Sequence, residues 1–354
     1  MWVKAGFGAL QKGAEAMETG VIMAPWPGRT ARLAAMVERM GFSTLMLTDS
    51  QNLAPEVFSQ LMLAAAATTT LKLGTGVSNP VTRDSALLAS SALSVHAESG
   101  GRAVLGIGRG DSAVQRIGKD LYPLADFRRY IDELQGYLRG EAVDRDGFES
   151  RLEWFRAAKQ PKLPVQIAAT GPKVIELAAQ RADAVMLAVG ADPDHLAAAI
   201  ARARRAAEAA GRPAGELRIG AFVNTLAHGD ASVARDAVRG TAATFARFSS
   251  FKGSPIAELP GPLQKAARFL REHYDMAEHT RRSSEHARAM EDEFIDWFAL
   301  AGPVGDLRPR FEKLAALGLD FLYLVSASAD TPREVARASL ESISKEILPL
   351  LQHA

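Results

Sequence analysis

Residues 101–111 read Gly101-Arg102-Ala103-Val104-Leu105-Gly106-Ile107-Gly108-Arg109-Gly110-Asp111, a short apolar run opening directly into a glycine-rich polar turn. Ala103–Ile107 shows no alternation of apolar and polar residues, which marks a strand buried on both faces, as in parallel sheets. The turn carries one cation, Arg109, and one carboxylate, Asp111. Glycines let the backbone approach a ligand closely, and an arginine fork matches a phosphate. A single turn of this kind is common. Its weight comes from similar strand-then-polar-turn junctions along the whole chain.

The other runs of this character are Val3–Phe7, Thr44–Thr48, Leu71–Val77, Val165–Ala169, Ala184–Val189, Leu217–Val223 and Phe321–Val325. Helical spacing fills the intervals. Leu33, Met36, Val37 and Met40 line one face before Gly41, and Leu124, Phe127, Ile131, Leu134 and Leu138 do so before Gly140. Val174, Leu177 and Ala178 mark another helix, Leu196–Ala210 stops at Gly211, and the last helix carries Leu340, Ile343, Ile347 and Leu351. Eight strand–helix units predict a single α/β domain over residues 1–354, closed into a (β/α)₈ TIM barrel. A doubly wound open sheet is the rival architecture. Two stretches break the repeat. Glu141–Lys162 is polar and is expected to cover part of the barrel rim, while Phe251–Arg282 precedes a helix near Glu285–Phe298 and is expected to cross the C-terminal face. Such an excursion serves either as a lid and substrate wall or as an oligomer contact.

Of the 354 residues 47% are apolar, enough for a large core, and 42 basic against 41 acidic residues leave a net charge of +1. That balance gives no electrostatic reason to expect nucleic acid or an anionic membrane as partner. The absence of cysteine excludes disulfides, thiolate zinc sites and thiol nucleophiles. Lys4, Lys12, Glu15 and Glu18 interrupt the early apolar runs, so no signal-peptide core is expected. A cytoplasmic location is the corresponding expectation.

In a barrel of this type the ligand site is built from residues just after the strand ends. Those junctions supply Asp49, Ser50, Gln51 and Asn52; Gly74 to Pro80, including Gly76, Val77 and Asn79; Gly108 to Asp111; Thr170, Gly171 and Pro172; Gly190; and Asn224 with Thr225. At 170–172 threonine suits a helix cap and proline the first turn, and the free amides of a helix start attract an anion. Arg109 on the neighbouring strand supplies an opposing charge for a phosphate. The plain alternative is an ordinary capped helix beside an arginine paired with a surface carboxylate. Asp49 either bonds a ligand or caps its loop, and Asn79 either orients a ring or stabilises a turn. His96 reads as structural and His228 as ambiguous, while His273, His279 and His286 lack metal-site spacing.

Taken together, Leu-Thr-Asp-Ser at 47–50, Gly-Thr-Gly-Val-Ser-Asn-Pro at 74–80, Ser-Gly-Gly-Arg-Ala-Val-Leu-Gly-Ile-Gly-Arg-Gly-Asp at 99–111 and Ala-Thr-Gly-Pro at 169–172 form a specific pattern. The chain resembles the luciferase-like flavin enzymes, which include bacterial luciferase, alkanesulfonate monooxygenase and methylenetetrahydromethanopterin reductases. The resemblance implies a barrel with an insertion near strand seven and a cofactor, FMN or coenzyme F-420, at the C-terminal mouth. It places the phosphate near Arg109, Thr170 and Gly171, and a backbone bulge, often with a cis peptide, at Gly76–Val77. Asn79, Gly110, Asp111, Pro172 and Gly190 from the same turns complete the expected cofactor set. One departure stands out. Several members carry a catalytic histidine at the end of strand two, where this chain has Asp49-Ser50-Gln51. Ser50 can orient a substrate oxygen but is a poor base at neutral pH, and Asp49 is better suited to a cofactor hydrogen bond.

The breadth of the family favours a monooxygenase that uses reduced FMN and oxygen on a small organic substrate, supplied by a separate flavin reductase. The alternative is a coenzyme F-420-dependent reductase or dehydrogenase that transfers hydride without oxygen. A barrel isomerase or aldolase acting on a phosphorylated metabolite and a catalytically inert flavin-binding protein are the remaining rivals. A homodimer or higher homo-oligomer is expected, and no metal site.

Overall fold

Eight parallel strands close into a ring in the computed structural model, which describes residues 17–352. They are β1 (Glu18–Met23), β2 (Thr44–Leu47), β3 (Lys72–Thr75), β4 (Ala103–Ile107), β5 (Val165–Ala169), β6 (Ala184–Leu187), β7 (Arg218–Ala227) and β8 (Phe321–Val325). Neighbours in sequence pair in space, and β8 returns to β1 through the register Glu18↔Phe321 to Ile22↔Val325. The rival open sheet is therefore excluded. The expected strand at Val3–Phe7 lies outside the described residues, and the first barrel strand is Glu18–Met23. Its charged start and its glycine hide it from a search for apolar runs. Gly20 is there for close approach, because a Cβ would sit 2.6 Å from the Thr44 carbonyl oxygen.

Each strand buries both faces, which explains the missing alternation. Met46, Met186, Phe222, Phe321, Tyr323 and Val325 fill the barrel interior. Leu45, Leu47, Val185, Leu187, Leu322 and Leu324 face the other way, into the layer beneath the helices. Each such side chain contributes about 1.5–3 kcal/mol by leaving water. Inside the barrel the Tyr323 hydroxyl donates to Gln166 Oε1 at 3.2 Å.

The two irregular stretches sit at opposite ends. Residues 141–162 follow the helix Leu124–Leu138 and form a hairpin, Val143–Arg145 with Phe148–Ser150, and a short 3₁₀ turn. The rim they cover is that of the strand starts. His96 Nε2 donates to the Pro161 carbonyl at 3.0 Å, and Gln160 lies against Gly101, just before β4. The C-terminal excursion is wider than 251–282. From β7 the chain runs through the helices Ala231–Arg247, Gly261–His273, Glu285–Arg288 and Asp292–Phe298 to a short strand, Leu300–Gly302, beside the end of β7. The expected helix near 285–298 is thus two. This excursion has its own core, including Leu226, Val238, Leu263, Leu270, Ile295 and Phe298. Among the described residues no helix is long and apolar enough to cross a membrane.

A carboxylate pins one strand entry. Glu38, near the end of the helix Thr30–Arg39, accepts from the amides of Thr69 at 2.8 Å, Thr70 at 2.7 Å and Leu71 at 3.0 Å. Burial raises its pKa, but the amides of Thr70, Leu71 and Thr69 outweigh that and hold it at about 2, below the ordinary 4.5. A depressed carboxylate pKa stabilises the fold above the ordinary value, and this contribution is lost as pH falls through the folded one. Glu38→Gln is therefore expected to be less stable than wild type in urea at pH 7, with the gap closing between pH 4.5 and about 2. A gap independent of pH would refute this assignment.

Candidate active site

A cavity of about 1090 Å³ opens at the C-terminal mouth. Of the residues expected there, Asp49, Ser50, Gly76, Val77, Asn79, Arg109, Gly110, Asp111, Thr170, Gly171 and Pro172 all line it. Gly190 does not. It sits at φ +91°, and a Cβ there would lie 2.6 Å from Phe298, so it is glycine for its turn and its packing under the excursion. His96 and His228 also lie outside the cavity lining.

The floor is apolar, built by Ile22, Val77, Ala168, Ala188, Phe222 and Val325. At the end of β3 the Gly76–Val77 peptide is cis, as the resemblance implied. The chain then bridges to β4, with Ser78 N donating to the Gly106 carbonyl and Gly108 N to the Ser78 carbonyl, both at 2.9 Å. Asn79 takes the turn role, its Oδ1 accepting from the amides of Val81 at 3.0 Å and Thr82 at 3.1 Å.

Asp49 is already engaged. Its carboxylate accepts from Arg83 Nε and Nη2, both at 3.1 Å, and from Ser78 Oγ at 2.7 Å. Arg83 also reaches Glu56 at 3.0 Å and lies 4.9 Å over the Phe58 ring. Held by a guanidinium fork and a serine hydroxyl, Asp49 ties the β2 and β3 loops together. Arg83 was not anticipated, because nothing in its sequence neighbourhood marks it. Ser50 Oγ pairs with Ser112 Oγ at 3.0 Å, and Gln51 Nε2 donates to the Ala113 carbonyl at 2.6 Å. These bonds tie the β2 loop to the β4 loop.

Arg109 behaves differently. Its Nε donates to the Tyr122 carbonyl at 2.6 Å, and among the described residues no carboxylate forms an ion pair with it. Burial pushes its pKa down, the signature of a cation whose lost hydration has not been replaced. Beside it, on the strand that pairs Ile107 with Ile167, stands the helix Pro172–Arg181. Thr170 does not cap this helix; its Oγ1 donates to the Ala188 carbonyl at 3.2 Å. Gly171 is the N-cap, no side chain bonds the first amides, and no acidic residue occupies the first turn. An uncovered helix start beside an arginine with no carboxylate partner has the chemistry to attract an anion.

Asp111, by contrast, forms an ion pair with Arg247 from the excursion, and Arg247 Nη2 donates to Gln115 Oε1 at 2.6 Å. Its carboxylate therefore anchors the excursion to the β4 loop. Next to this pair lies a residue considered above only as a metal ligand. His279 lines the cavity, and its Nδ1 is 2.7 Å from the Tyr274 hydroxyl. Neither Arg247 nor His279 was legible as a site residue: Arg247 meets the β4 loop across more than 130 residues of chain, and His279 reaches the cavity through the fold of the excursion. Among the described residues no cluster of three or more His, Cys, Asp or Glu is arranged to hold a metal.

The family model described as luciferase-like monooxygenase matches residues 6–320. The chain is 32% identical over 324 residues to a 5,10-methylenetetrahydromethanopterin reductase of Archaeoglobus fulgidus, covering 90% of this chain and 94% of that protein. The Methanolobus tindarius protein of the same name is 30% identical over 330 residues, covering 90% and 95%. Among solved structures, a coenzyme F-420-dependent tetrahydromethanopterin reductase from Methanopyrus kandleri superposes with a TM-score of 0.73 at 21% identity, over 96% of this chain and 100% of that one. The last comparison establishes a shared fold.

Proposed function

Because the chain belongs to the luciferase-like monooxygenase family, we propose that it is an oxidoreductase that binds coenzyme F-420 at its barrel mouth and exchanges hydride with a small organic substrate. The FMN- and oxygen-using reading preferred from sequence is set aside for this alternative. Support comes from the two full-length relatives, both named as reductases, and no separate flavin reductase is then needed.

The carrying observation in the structure is the unpaired Arg109 beside the uncapped helix start, which fits the phosphate that FMN and coenzyme F-420 share. Arg109 with the amides of Gly171 and Lys173 would hold that phosphate, and Gly76, Val77 and Ala168 would receive the ring. When bound, the group supplies hydride chemistry. The chain's own part is to hold the anionic tail, present an apolar floor that excludes water, and orient the substrate from the excursion side.

Calorimetric titration with each cofactor tests the reading. Coenzyme F-420 is expected to bind at least about tenfold tighter than FMN, a difference of roughly 1.4 kcal/mol. The first substrate to try with the reduced cofactor is 5,10-methylenetetrahydromethanopterin, followed under anaerobic conditions by the return of cofactor absorbance. Tighter FMN binding with substrate-dependent oxygen uptake would restore the monooxygenase reading.

A further inference from the structure

The excursion delivers to the cavity wall an imidazole whose tautomer can be deduced. Thr244 Oγ1 donates to the Gly240 carbonyl at 3.0 Å, and it lies 2.9 Å from the Tyr274 hydroxyl. A threonine hydroxyl has one hydrogen. With that hydrogen on Gly240, the Tyr274 hydroxyl donates to Thr244. The tyrosine's only hydrogen is then engaged, so the 2.7 Å bond between Tyr274 and His279 is donated by His279 Nδ1–H. The reverse polarity makes one hydrogen bond fewer. A neutral imidazole protonated at Nδ1 carries a lone pair on Nε2. Nε2 has no hydrogen-bond partner among the described residues and is not one of the enclosed, unpartnered polar atoms.

We propose that His279 is the substrate-orienting residue of this site, presenting an unprotonated Nε2 to the cavity as the acceptor for an N–H or O–H of the substrate. The proposal rests on the hydride-transfer reading above. It supplies a ring nitrogen from the excursion, whereas the end of β2 has none.

Two further observations support it. First, the loop that carries His279 is held in an unfavourable backbone conformation. Thr280, a β-branched residue, sits at φ +63°. Its carbonyl accepts from Ala329 N at 3.1 Å, and Asp330 accepts from the amides of Arg282 at 2.8 Å and Ser283 at 3.0 Å. Second, the surroundings keep the ring neutral. Burial lowers its pKa most; Asp111 pulls it up, and Arg247, Arg116 and His286 push it down, to about 4. Tyr274, packed at 4.1 Å against His286, is held as a neutral phenol by burial, which raises its pKa.

The test is ¹⁵N NMR of histidine-labelled protein, with the His279 signals assigned by their loss in His279→Gln. At pH 7 the expected pattern is a protonated Nδ1 and a pyridine-type Nε2. Thr244→Val removes the acceptor for Tyr274, so the phenol turns to donate to Nδ1 and the tautomer flips to Nε2–H. Wild-type protein found as Nε2–H, or a tautomer unmoved in Thr244→Val, overturns the proposal. With coenzyme F-420 bound, 5,10-methylenetetrahydromethanopterin is expected to shift the Nε2 resonance upfield. His279→Phe should raise its KM about tenfold while leaving the Kd for coenzyme F-420 within twofold. A substrate that binds without moving Nε2 also overturns the proposal. Failure of wild-type protein to bind coenzyme F-420 counts against the reading above instead, and the tautomer measurements still decide this one.

Discussion

Asp111→Ala is expected to lower the unfolding free energy by about 3 kcal/mol, the low end of the cost of breaking a buried ion pair. The estimate sits at that end because the pair is not fully enclosed, with Asp111 16% and Arg247 9% exposed. The cost comes from the guanidinium left behind. Arg247 lies 4.3 Å over Tyr274 and 5.0 Å over Phe251, and among the described residues it forms no second ion pair. Gln115 keeps one neutral bond to it, which limits the loss. If the penalty is an uncompensated charge, removing the charge recovers part of it. Asp111→Ala with Arg247→Met should therefore be more stable than Asp111→Ala alone, read by urea unfolding. A single variant within about 0.5 kcal/mol of wild type would show that the pair does not anchor the excursion.

The barrel was legible from sequence because strands buried on both faces must be short and apolar throughout. Seven of the expected strands recur in the structure within a few residues. The strand Glu18–Met23 was not anticipated because it begins with a charge and replaces a side chain with a glycine pressed against β2. The strand-end turns were legible for a related reason. Glycine, proline and polar residues at a fixed place after each strand follow from the local backbone. What stayed hidden depends on partners distant in sequence. Whether Asp49 and Asp111 are free or ion-paired depends on Arg83 and Arg247, and no local pattern marks either arginine. His279 was hidden for the same reason, since its role comes from Tyr274 and Thr244 and from the way the excursion folds over the mouth.

Arg109→Ala is expected to weaken binding of coenzyme F-420 by about 1.5–3 kcal/mol, roughly 10- to 150-fold in Kd, the scale of a charge-assisted hydrogen bond. The same change should leave the cofactor-free protein within about 1 kcal/mol of wild type. Among the described residues Arg109 has no carboxylate to abandon, and the bond it loses is the one from Nε to the Tyr122 carbonyl at 2.6 Å. Asp111→Ala, two residues away, should show the opposite division, with a large loss of stability in the absence of any ligand. The contrast follows from how each charge is answered. Asp111 is paired within the protein, while Arg109, its charge disfavoured by burial, has no ion-pair partner among the described residues. Arg109→Lys keeps the charge but not the planar fork and should fall between wild type and alanine. Thermal shift with and without cofactor separates these effects, because a ligand that binds only the folded state stabilises it by an amount that grows with the logarithm of its concentration over Kd. An Arg109→Ala protein that is folded and binds coenzyme F-420 as tightly as wild type would mean that the phosphate is held elsewhere in the mouth, and the assignment of the anion site to Arg109 and the Pro172–Arg181 helix start would be wrong.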